Sequence, residues 1–89
     1  MKAVITVIGK DMVGILAKVS VACSERNINI LQVTQTILED LFAMIMLVEI
    51  SDMSCAFVEL TDTMEKIGKD LNLSIHVMHE DIFNSMHRI

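Results

Sequence analysis

The stretch Val4-Ile5-Thr6-Val7-Ile8-Gly9-Lys10-Asp11-Met12-Val13-Gly14 decides how the rest of the chain is read. The β-branched run to Ile8 suits a strand, and from Gly14 onward the apolar spacing turns helical, so residues 9–14 form the loop between them. Glycines at both ends allow a sharp turn and let backbone N–H groups approach whatever lies over the helix N-terminus, where a small anion is well accommodated. The same glycines also serve a plain turn and close helix–strand packing, and spacing alone favours that plainer role.

Working outward, Ala3, Ile5 and Val7 alternate with Val4, Thr6 and Ile8, which makes both faces of the first strand apolar and predicts a central position in a sheet. Ile15, Leu16, Val19, Ala22 and Cys23 share one helical face in a segment expected to end near Asn27. Residues 28–38 read as a second strand with Gln32, Thr34 and Thr36 on one side. The acidic turn Glu39-Asp40 leads into a third strand, residues 42–50, and a hairpin is predicted. That third strand is again apolar on both faces, Phe42, Met44, Met46 and Val48 against Ala43, Ile45 and Leu47. With Asp52 or Ser54 as N-cap, residues 55–70 set Phe57, Leu60, Met64 and Ile67 at helical spacing, and Gly68 and Asn72 bracket the exit. Leu73, Ile75 and Val77 alternate with Ser74, His76 and Met78 as a fourth strand. Residues 80–89 close as a short helix with Ile82, Phe83, Met86 and Ile89 on one side, acids first and His87-Arg88 last, the polarity a helix dipole favours.

The order β-α-β-β-α-β predicts an α+β, ferredoxin-like sandwich: one antiparallel four-stranded sheet, two helices on one face, and a short C-terminal helix. Residues 1–89 read as a single domain with residues 80–89 as a helical tail. Two helices cover one face only, so the second apolar face of the first and third strands predicts burial against the tail or another copy. A chain of 89 residues buries only roughly 60 to 65% of its unfolded surface, so a partner subunit would add to a small core.

Composition removes several classes of function. A net charge of −5, three phenylalanines and no tryptophan or tyrosine leave neither a cationic face nor stacking platforms for nucleic acid. Although 53% of residues are hydrophobic and mean hydropathy is +0.55, the longest apolar run, residues 41–48, is far short of the ~20 that span a bilayer. Lys2 leads straight into a strand rather than into a signal sequence, so a cytoplasmic protein is expected, without membrane association. In that compartment Cys23 and Cys55, both on predicted helix stripes, are expected as free thiols.

Other uses of the fold fail on particular residues. The first loop has no cysteine for soft-metal carriage and no arginine to clamp an acyl phosphate. The strands offer only Phe42 for stacking a base, and Asp11 stands where a dinucleotide fingerprint requires glycine. His76, His79 and His87, with Glu80 and Asp81, form a candidate metal set, but residues three apart on a strand face opposite sides, and solvated histidines are the better reading. The methionines, Met44, Met46 and Met64 among them, read as adaptable core filling. No nucleophile–base pair stands out, so no enzyme, cofactor or metal is predicted.

Gly9-Lys10-Asp11-Met12-Val13-Gly14-Ile15-Leu16, followed by Val19-Ser20, Glu25 and Asn29-Ile30, resembles the ACT domain, the small regulatory module of amino-acid metabolism. The resemblance extends over nearly the whole chain, and the closing Ile82-Phe83-Asn84-Ser85-Met86-His87-Arg88-Ile89 is similar to the end of short bacterial and archaeal proteins consisting of one ACT domain. It implies a homodimer or higher oligomer whose sheets join side by side into one of eight strands, with an amino acid held at the interface. By matching position, the ligand contacts would be Gly9, Asp11, Met12, Val13 and Gly14 of the loop and Asn29 of the second strand. Serine-binding members commonly carry an amide where this chain has Asp11, and a histidine where it has Gly9.

These residues suit a zwitterion: N–H groups of residues 13–16 for a carboxylate, Asp11 and the Asn29 carbonyl for an ammonium. Asp11 equally suits a helix cap, and Asn29 a turn. Two functions follow. One is a regulatory module that binds an amino acid and alters its contact with a protein partner; the other is a ligand-free interaction or oligomerisation module.

Overall fold

The first and third strands pair with each other in the middle of the sheet, as their apolar runs suggest. The computed structural model describes residues 1–10 and 14–86, apart from the side chains of Leu38 and Met86. In chain order the elements are β1 (Lys2–Gly9), α1 (Ile15–Glu25), β2 (Asn29–Leu38), β3 (Leu41–Glu49), α2 (Phe57–Leu71), β4 (Ser74–His79) and α3 (Glu80–Met86). The strands run β2-β3-β1-β4 across one sheet, all neighbours antiparallel, so β1 and β3 are the inner pair. This is the ferredoxin-like sandwich expected from the sequence, with α1 and α2 on one face and α3 following the last strand.

Register sorts the side chains. Ala3, Ile5 and Val7 lie opposite Val48, Met46 and Met44, and all six are essentially removed from water under the helices. Ile15, Val19, Ala22 and Cys23 from α1, and Leu60 and Met64 from α2, complete that core. Each large apolar side chain buried there contributes about 1.5–3 kcal/mol. Cys23 is a free, fully buried thiol whose pKa burial pushes up to about 11, against the opposing pull of Arg26.

Several local readings change. Leu16 points to solvent, 39% exposed, because α1 turns Ile15 and Val19 rather than Leu16 toward the sheet. Cys55 precedes α2 instead of lying on it. The N-cap of α2 is Ala56 without a side-chain bond, not Asp52 or Ser54. Backbone bonds shape that segment instead: Met53 N–H donates to the Ile50 carbonyl (3.1 Å) and Ser54 N–H to the Arg26 carbonyl (2.9 Å). The Asp52 carbonyl, in turn, accepts from the Asn27 side-chain amide at 2.9 Å. Asn72 ends α2 in the left-handed conformation, φ 59°, as the sequence suggested. Gly68 lies inside the helix and lets it approach β4 closely, since a Cβ there would sit 2.8 Å from the Leu73 carbonyl oxygen. A bulge at Leu31 breaks the alternation of β2 between Ile30 and Gln32.

Candidate functional site

Gly14 is the N-cap of α1 at φ 74°, with open space where a Cβ would be, and its carbonyl accepts from Lys18 N–H at 3.0 Å. The first-turn N–H groups that follow have no acceptor within the helix, which is the electrostatic basis for expecting an anion nearby. Gly9 ends β1 where the Leu73 side chain packs over it, so a Cβ would collide with that leucine. Here the glycine serves packing. Asp11, Met12 and Val13 lie outside the described residues.

Asn29 opens β2 opposite Glu49, which in turn lies opposite Lys2, whereas Gly9 lies opposite Phe42 at the other end of the sheet. Phe42 and Glu49 lie seven residue steps apart along β3, or about 23 Å at the usual rise. Within one chain, therefore, the structure does not bring Asn29 to Gly9 and Gly14.

Asn29 instead borders an open groove of about 670 Å³ between the outer side of α1 and the start of β2. Ser20 and Ser24 line it from the helix, with Asn27, Glu49 and Asp52 around its lower end. The serines stand four apart on one helix face, a spacing that was readable; the approach of Glu49 and Asp52 depends on strand register and was not. Glu49 is paired: the Met1 ammonium lies 3.1 Å from its Oε2 and also donates to Ser51 Oγ at 2.6 Å. Hydrogen bonding to that ammonium holds the Glu49 carboxyl below its ordinary value of 4.5.

The histidines part company. His76 is exposed on the face away from α1 and α2, its Nε2 3.4 Å from Ser74 Oγ. His79 lies on the helix side and stacks on Phe57 with ring centroids 4.2 Å apart. Among the described residues no group of three or more His, Cys, Asp or Glu gathers as a metal site, and no helix is long and apolar enough to cross a membrane. His87 lies outside the described residues.

A βαββαβ sheet with a glycine-bounded β1–α1 loop defines an architectural class, and the sequence matches the ACT domain over residues 2–78. The chain belongs to the ACT domain family. It is 49% identical over 88 residues to a UPF0237 protein of Methanocaldococcus jannaschii, covering 99% of this chain and 98% of that one. A UPF0237 protein of Listeria monocytogenes is 47% identical over 89 residues, with both chains fully covered. Among solved structures, an ACT domain protein from Streptococcus pneumoniae superposes with a TM-score of 0.81 at 41% identity, over 93% of each chain.

Proposed function

We propose that the protein is a regulatory module that works as a homodimer, with an amino acid held between the two copies. The observation that carries this reading is the β2 edge. Its ten residues, Asn29–Leu38, contain no charge and no proline, and Leu31, Val33 and Ile37 on it are exposed. Native edges are usually blunted by charge, proline or brevity, so a long neutral edge favours pairing with another strand. The opposite edge, β4, has only six residues and two histidines.

A two-fold axis normal to the sheet would run two β2 strands antiparallel and keep both helix layers on one side. The Asn29 end of each copy would then lie beside the Gly9–Gly14 end of the other. A site that no single chain assembles is thereby completed twice. Gly9, Asp11, Met12, Val13 and Gly14 of one copy would receive the carboxylate and part of the ammonium, and Asn29 of the other the rest, with Ser20 and Ser24 lining the adjacent groove.

Calorimetric titration with the protein amino acids, run beside light scattering, tests the proposal. The expected result is a dimer with one saturable site per subunit, lost in Asp11→Ala, and a melting temperature that rises as ligand exceeds its dissociation constant. A dimer giving no heat with any amino acid would assign the fold to assembly alone. A monomer would overturn the composite site.

A further inference from the structure

We propose that the cleft between α3 and the β2–β3 part of the open sheet face, the face away from α1 and α2, binds a small aliphatic amine through Glu80. Val4 points to that face yet is only 3% exposed, whereas Ile45 on β3 and Ile8 further along β1 remain 42% and 49% exposed. The difference comes from α3, whose backbone lies against β1 and β4 rather than against β2 or β3. Among the described residues, the cover therefore stops partway across the sheet.

The step left behind is a cavity of about 220 Å³, room for about seven waters. Val4, Ile45 and Leu47 form its apolar floor and Phe83 its wall. Gln32 and Thr34 from β2, and Asn84 from α3, supply hydrogen-bonding groups around it. Among the described residues, Glu80 is the only ionisable one lining it. An apolar floor with a few converging polar groups is the usual make-up of a small-molecule site, and this volume suits something smaller than a drug. With one carboxylate and no cation among the described lining residues, and a chain of net charge −5, a cation is favoured there over an anion. An ammonium at Glu80 would lay its short carbon chain on Ile45 and Leu47 and present a far-end polar group to Gln32 and Thr34. The cleft lies on the opposite side of the sheet from the helices that flank the groove at Asn29.

Methyl-labelled full-length protein titrated with n-butylammonium, with butyrate as the control of equal length, tests this by NMR. Saturable shifts are expected at the Ile45 and Leu47 methyls with the amine but not with butyrate, while the Ile15 methyl in the other layer stays put. Glu80→Gln should weaken binding about tenfold, the loss of one charge-assisted hydrogen bond. Asp81→Asn removes a neighbouring charge from the same helix turn without touching the cleft, and should bind as wild type. The proposal is overturned if no methyl saturates, if butyrate shifts them equally, or if both variants lose affinity alike. Repeating the titration on Asp11→Ala separates this site from the interface site, because only the latter should fail.

Discussion

Gly68 marks a close approach of α2 to the start of β4. Its missing side chain leaves room for the Leu73 carbonyl, and Leu73 N–H donates back to the Gly68 carbonyl at 2.7 Å. Gly68→Ala would drive a methyl group into backbone, which cannot rotate away as a side chain can. Denaturant unfolding should show a loss of about 2 kcal/mol despite the better helix propensity of alanine. Equal stability would mean that α2 can lift off β4 without cost. From the sequence this residue reads as a helix exit; only the path of Leu73 and Ile75 beneath it reveals its role. Gly14 is the opposite case, since its position before a helical period was enough to indicate a turn.

At the scale of elements, periodicity located every strand and helix, because alternation and helical spacing are local properties of the chain. Cys55, Asp52 and Ser54 were misassigned for a different reason. Residues 51–56 are held by long-range hydrogen bonds to the Arg26 carbonyl and from the Asn27 side-chain amide, which a local pattern does not encode. The closing helix, α3, shows both outcomes. Phe83 is half-buried over the sheet as its spacing implied, but Ile82 faces solvent at 53% exposure. Truncation to Phe83→Ala should therefore cost about 1–2 kcal/mol and lower the melting temperature by roughly 5–10 °C, while Ile82→Ala should leave it nearly unchanged. Deleting residues 80–89 should uncover Val4 and reduce solubility. An unaltered melting temperature in Phe83→Ala would show that α3 is not the cover of that face.

For the whole molecule the decisive asymmetry is between the two sheet edges. If β2 is the pairing edge, Val33→Lys, which plants a charge on it, should shift the mass measured by light scattering from dimer to monomer. His76→Lys on the β4 edge should leave the mass as it was. Dimers persisting in Val33→Lys and vanishing in His76→Lys would move the interface to the other side. The sequence offers Gly9, Gly14 and Asn29 as candidates for one site, but it does not reveal that Gly9 and Asn29 lie at opposite ends of the sheet. Distance along a sheet follows from register, and the chain carries register only through the joint fit of all four strands.

The inner position of β1 also orders the assembly of the fold in time. The first strand synthesised pairs with β3 on one side and on the other with β4, whose His79 meets Ala3 across nearly the full length of the chain. The β2–β3 hairpin closes through a two-residue turn and can form early, yet one edge of β1 has no neighbour until the last strand leaves the ribosome. A nascent chain stalled before residue 74 would expose Ile5 and Val7 beside an unpaired backbone edge. Such a species is prone to aggregation, and completion of β4 ends that exposure.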